Sequence, residues 1–269
     1  MDVTNVESLG VSSQDVWADP QSVRKEITER HKPVNYSQIV GDARVLFLAE
    51  NHSNRSIRKH IISHARDLKE AGITHYAIEA KEEGNEALER LNKDEQVDLS
   101  SVDVGPGGED YKEAVRAMAA QGIKVVAVDI DQTSKPTRDE REAHMTKNLL
   151  RILEQNPDSK IAYLVGGFHT SKRVLSDGLA WTGKRIIDAG VKTITAYYAG
   201  GEDDVPRILI DGARKAELAN TEFVLDMRPY ASSDSKMVPY GAGETDYVIH
   251  LPQESSPRPN LLSSRRVFS

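Results

Sequence analysis

The spacing of apolar residues changes period along this chain. Apolar, β-branched runs recur at Val45–Ala49, His75–Ile78, Lys124–Val128, Lys160–Val165 and Val191–Tyr198. Each has strand length and is bounded by turn formers, the pattern of a strand buried on both faces. Weaker runs at Val205–Ile210, Phe223–Leu225 and Tyr247–His250 read as further strands. Between the runs the period becomes helical. Tyr111, Ala114, Val115, Met118 and Ala119 share one stripe, and Ile57, Ile61, Ala65 and Leu68 share another. Helices end at Gly72, Gly122 and Gly190, each followed at once by a β-branched residue and the next strand. Glycine just past a helix end accepts the left-handed backbone that closes it. Repeated helix–Gly–strand units need crossover connections. The pattern therefore predicts an α/β fold, a mainly parallel sheet flanked by helices on both faces.

The flanks are different in kind. Residues 1–32 are polar and mixed in charge, with at most one amphipathic helix near Asp19–His31, and read as an N-terminal extension. The α/β domain occupies 33–252, and 253–269, rich in Ser, Pro and Arg, read as a disordered tail. Over the 269 residues, 35 Lys and Arg against 42 Asp and Glu leave a formal charge of −7, which argues against a general nucleic-acid surface. The absence of cysteine excludes disulfides, thiolate metal sites, a cysteine nucleophile and acylation at cysteine. The N-terminal residues lack the basic and apolar segments of an export signal, and no apolar run reaches bilayer length. The expectation is a soluble chain with no membrane partner, cytoplasmic or delivered into a host cell without a conventional signal. The triplets at Asn35, Asn51 and Asn54 that match the glycosylation pattern are read as chance.

In parallel sheets, sites gather beyond the carboxyl ends of the strands. Those ends read Glu50-Asn51-His52, Glu79, Asp129-Ile130-Asp131 and Gly166-Gly167-Phe168-His169. Any one of them reads as well as a solvated loop residue, but four successive strand ends carry carboxylates or imidazoles. A histidine with a carboxylate partner serves as a general base near neutral pH. The same groups, Glu50, His52 and His169 in particular, could hold a divalent ion. In the helix after the third strand, Met145, Leu149, Ile152 and Leu153 form the buried stripe, Arg141 and Asn148 fall on it, and His144 lies at its edge. A buried guanidinium needs a carboxylate or a bound anion. Arg141 thus reads either as an ion pair with Asp129 or Glu79, or with Asp129 and Asn148 as a substrate contact. His60 and His64, four apart, could clamp a metal or haem, yet they flank an apolar stripe and read first as helix-surface residues; His75 reads as structural.

A competing motif overlaps these residues. Val125–Val128 followed by Asp129-Ile130-Asp131-Gln132-Thr133 has the D-x-D-x-T form of haloacid-dehalogenase-type phosphatases. There Asp129 would be the nucleophile, Asp131 the acid/base and magnesium the charge partner, with Lys172 and the Asp203-Asp204 pair completing the set. Against that reading, about half the domain precedes the motif, and Gln132 and Ser134 depart from its usual Gly and apolar residue. No P-loop, G-x-S-x-G elbow or H-E-x-x-H occurs.

Leu46-Phe47-Leu48-Ala49-Glu50-Asn51-His52 resembles the L-G-E-x-H motif of the superfamily that holds erythromycin esterases, haem-binding ChaN proteins and Tiki proteases. Ile78-Glu79, Arg141…Met145…Asn148, Val165-Gly166-Gly167-Phe168-His169 (as G-x-x-H) and Asp246-Tyr247-Val248-Ile249-His250 match in order, over about residues 43–252. Ala49 stands where that motif has Gly. The resemblance implies a site of Glu50, His52, Glu79 and His169, with Arg141 nearby. It also implies one of several activities: ester hydrolysis by a His/Glu pair, metal-dependent peptide cleavage, or haem binding. Some type III effectors of the HopBA kind look similar. The leading expectation is a hydrolase of a small-molecule or peptide substrate, delivered into a host cell and meeting host protein if it is an effector. The alternatives are a non-catalytic ligand or haem binder and the phosphatase.

Overall fold

The β-branched runs pair into one sheet in the computed structural model, which describes residues 20–103, 108–131, 133, 135–174, 178–201, 207–230 and 244–253. The strands are β1 (Val45–Glu50), β2 (His75–Lys81), β3 (Lys124–Asp129), β4 (Ile161–Gly166), β5 (Thr193–Gly200), β6 (Phe223–Asp226) and β7 (Tyr247–Leu251). Their order is β3-β2-β4-β1-β5-β7-β6. All pairings are parallel except β6 on β7. The helices are α1 (Pro20–Arg30), α2 (Tyr36–Val40), α3 (Arg55–Ser63), α4 (Ala65–Glu70), α5 (Asn85–Leu91), α6 (Gly108–Ala120), α7 (Arg138–Gln155), α8 (Thr182–Asp188) and α9 (Arg207–Lys215).

Every residue of β1 and β4 is buried, as a parallel sheet covered on both faces requires. Side chains alternate across it. Leu46 and Leu48 join one core with the α3 and α6 stripes, while Val45 and Phe47 join Met145 and Leu149 of α7 on the other face. Gly72 and Gly122 close their helices at φ +87° and +66°, the left-handed region the sequence pattern called for.

The structure departs from the expected pattern in two places. Ile208, Leu209 and Ile210, expected in a strand over Val205–Ile210, lie in α9, whose buried Leu209, Ile210, Gly212 and Ala213 follow a helical rather than an alternating period; Val205 itself lies outside the described residues. The stripe Ile57–Leu68 is buried as expected but spans two helices that break at His64. In the polar N-terminal segment, α1 buries Val23 and Ile27 completely. A Cβ on Gly212 would stand 2.4 Å from Val23 Cγ1, so α1 and α9 meet almost backbone to side chain. Of the expected disordered tail, only Gln253 falls among the described residues.

Register places the site. Glu50 pairs with Gly166 across β1 and β4, and Ile78 pairs with Leu164 across β2 and β4. The ends of three adjacent strands therefore emerge side by side, and Glu79 accepts the Gly166 N–H at 3.0 Å.

Candidate active site

Glu50 ends the fully buried strand β1, so its carboxylate needs partners. It finds two. Oε1 accepts from His52 Nδ1 at 2.9 Å, and Oε2 accepts from Arg58 Nη1 at 3.0 Å. Because a carboxylate only accepts, Nδ1 of His52 carries the proton, and Nε2 is left on the side of Glu79 and Gly166. Arg58, wholly buried on α3, also donates from Nη2 to the His52 carbonyl at 3.1 Å. It thereby fixes both ends of the Glu50–His52 pair. The His52 ring is 42% exposed, and its pKa is raised, first by the hydrogen bond to Glu50 and then, against burial, by the charges of Glu50 and Glu79.

Glu79 lies between the two imidazoles. Its Oε2 is 3.6 Å from His52 Nε2, and its Oε1 is 3.5 Å from His169 Nε2. Burial alone would raise its pKa, but His169, the Arg141 guanidinium and the Gly166 N–H together hold it far below the usual carboxylate range. Gly166 gives a second measure of closeness. A Cβ there would stand 2.9 Å from His52 Nε2 and 3.5 Å from His169 Cδ2, so both rings crowd one point above the end of β4. The two imidazoles, distant in the chain, meet at Glu79.

His169 sits in a 3₁₀ turn, Gly167–Thr170, that leaves β4 directly. Its Nδ1 lies 2.7 Å from Glu142 Oε1, an ion-pair contact. Glu142 is itself buried and is held by the Thr182 N–H at 2.9 Å and the Thr182 hydroxyl at 2.7 Å. Burial opposes charging of His169, yet Glu142 and Glu79 outweigh it and raise the pKa to about 9. His169 is a cation at neutral pH. Trp181 meets its ring edge-on at 5.2 Å and stacks on Phe168 at 5.7 Å, and Phe168 is 53% exposed. The imidazolium thus borders an aromatic ledge.

Arg141 takes the ion-pair role, with both of the carboxylates expected of it. Nε and Nη2 clasp the Asp129 carboxylate at 2.6–3.1 Å, and Nη2 also binds Glu79. Among the described residues Nη1 has no partner, and a quarter of the side chain is exposed. Asn148 is not drawn into the cluster; its amide donates to the Val128 carbonyl at 3.1 Å and anchors α7 to β3. Glu50, His52 and His169 do not converge as a metal set either, since both Glu50 oxygens are taken by His52 and Arg58. Among the described residues, the trio that brings ligand atoms within 4.8 Å of one another is His60, His64 and Glu222. His60 is buried, contrary to the surface role expected of it, whereas His75 caps β2 and contacts Thr74 Oγ1 at 2.9 Å.

The D-x-D-x-T residues are otherwise engaged. Asp129 clasps Arg141, Asp131 accepts from the Thr133 N–H at 3.0 Å, and Lys172 Nζ sits 2.7 Å from Asp246. Their strand, β3, lies at the sheet edge. Asp203 and Asp204 lie outside the described residues. The sequence reading passed over Arg58, Glu142 and Trp181. A signal existed for two of them: Arg58 precedes Ile61 by three, and Glu142 precedes Met145 by three, which puts a charge on each buried stripe.

No family model matches the sequence, and no curated protein does. Solved structures do. The type III effector HopBA1 is 18% identical with a TM-score of 0.50, over 84% of this chain and 97% of that one. A succinoglycan biosynthesis protein is 12% identical with a TM-score of 0.58, over 88% and 97%. ChaN of Campylobacter jejuni, solved with cofacially bound haem, is 13% identical with a TM-score of 0.51, over 81% and 92%. At these identities the likeness is one of fold. The chain shares its α/β fold with HopBA1 and ChaN.

Proposed function

We propose that this protein is a hydrolase in which His52 and His169 act on opposite sides of one carbonyl group. The observation that carries the reading is their difference in environment around a shared Glu79. His52 has Nδ1 held by Glu50 and Nε2 on the side of Glu79, the arrangement of a general base. His169, held between Glu79 and Glu142, is a cation suited to donate a proton. In the reaction, His52 Nε2 takes a proton from water as the oxygen attacks the carbonyl carbon. Arg141 Nη1 donates to the resulting oxyanion, and His169 Nε2–H protonates the leaving oxygen or nitrogen as its bond to carbon breaks. Fixed donors aimed at developing charge are effective because they need no reorganisation. Glu79 holds both rings and does not change its bonding. The Phe168–Trp181 ledge would seat an apolar part of an ester or peptide substrate.

The fold of HopBA1, an effector by description, supports delivery into a host cell, with a small molecule or host protein as target. Among the described residues no helix is long and apolar enough to cross a membrane.

The test is hydrolysis of chromogenic esters and peptide anilides by the purified chain. His52→Ala and His169→Ala should each lower kcat/KM by about 10²- to 10⁴-fold, the usual cost of losing a general acid or base. Circular dichroism should be unchanged. Full activity in both variants would overturn the reading. A Soret band on added haem, with no turnover of any ester or amide, would replace it with ligand binding of the ChaN kind.

A further inference from the structure

A second cluster lies away from the machinery just described, where the end of α3 meets the segment that leads into the edge strand β6. His60 Nδ1 is 2.7 Å from Glu222 Oε2, and His64 Nε2 is 3.1 Å from Glu222 Oε1. The two rings stack with centroids 4.1 Å apart and planes 26° apart, so both nitrogens face the same carboxylate. Asp67 Oδ2 stands 3.8 Å from His64 Nε2.

The proton positions are constrained. His64 Nδ1 lies 3.0 Å from the His60 carbonyl, which can only accept, so Nδ1 carries a proton. Ser63 Oγ spends its own proton on that carbonyl at 2.8 Å and accepts from the same Nδ1. Nε2 is therefore the nitrogen offered to Glu222, and its contact there needs a cation between them, either a proton or a metal. His60 is similarly backed. Its Nε2 is 2.8 Å from Tyr36 OH, which is 2.9 Å from Tyr198 OH, and a tyrosine pair can run its hydrogen bonds in either sense. Nε2–H can thus donate to Tyr36 and leave Nδ1 as a ligand. Metal-binding imidazoles ordinarily have their second nitrogen committed in this way.

We propose that His60 Nδ1, His64 Nε2 and a Glu222 carboxylate oxygen form a site for a divalent transition ion of the zinc class, with Asp67 or water in the fourth position. Two imidazoles and one or two carboxylate oxygens suit zinc, and tetrahedral ligands at about 2.0–2.1 Å stand about 3.3 Å apart; the ligand atoms here already lie within 4.8 Å of one another, and turning the two rings together with the partly exposed Glu222 closes them on an ion. The ion would tie the start of β6 to α3, residues 162 positions apart in sequence.

The probe is zinc alone, added to the full chain in calorimetry, with cobalt as the spectroscopic substitute. Expected are one site per chain, a rise in melting temperature with zinc, and a tetrahedral cobalt spectrum. His64→Ala and Glu222→Gln should weaken binding by more than the roughly 10- to 100-fold expected for Tyr36→Phe, which removes only a backing partner. A His52→Ala/His169→Ala double variant should bind zinc as the unaltered protein does. In the unaltered protein, cobalt should shift the His60 and His64 ring signals in NMR spectra and leave Trp181 unmoved, a readout independent of any variant. Absence of binding, binding that survives loss of His64 and Glu222, or cobalt shifts centred on Trp181 would overturn the proposal.

Discussion

At the scale of single residues, the site works by giving two identical side chains different proton affinities. His52 is part exposed, and its raised pKa comes first from one hydrogen bond to Glu50. His169 is buried yet charged, because two carboxylates outweigh its desolvation and raise it to about 9. A base must be neutral and an acid protonated for the proposed reaction to proceed. The sign follows directly. Activity rises with pH as His52 loses its proton, at a pH above the ordinary 6.5, and falls as His169 loses its own near 9. A bell-shaped profile of kcat/KM bounded by those limits is expected, its two apparent values belonging to the coupled pair. A profile flat from pH 6 to 10 would remove both histidines from the chemistry.

At the scale of elements, register brings the residues together. The pairing of Glu50 with Gly166 sets two strand ends level, and the turn after β4 folds His169 back over that junction. Gly166 is needed there because a methyl group would press on His52 Nε2 at 2.9 Å. Gly166→Ala is therefore expected to displace His52 and lower kcat/KM at least about tenfold, since small misplacements of catalytic groups cost that much or more. The far-ultraviolet circular dichroism should not change. Most of these elements were legible because a β-branched run after a helix-closing glycine leaves little choice of structure. Ile208–Ile210 misled because three adjacent apolar residues look the same in a short strand and on a buried helix face. Glu50, His52, Glu79 and His169 were legible as strand ends. Arg58 and Glu142 were not, because a charge on a buried stripe declares its partner only once the neighbouring strand is in place.

At the scale of the molecule, the balance of burial and charge couples the site to stability. His169 has a folded pKa of about 9 against an ordinary 6.5. A group raised in this way stabilises the fold fully below pH 6.5, and its contribution fades as pH rises through 9. The melting temperature should fall across that window, and His169→Gln should flatten the fall. The same site explains why fold alone does not fix activity. Proteins sharing this architecture include an effector and a haem-bound ChaN, so the chemistry has to be read from side chains rather than from strand order.

The most direct measurement is an NMR titration of the His52 and His169 rings with and without Glu79. If one carboxylate serves both imidazoles, Glu79→Gln lowers both pKa values together. If only one of them moves, the two histidines do not share a site and the proposed division of labour fails.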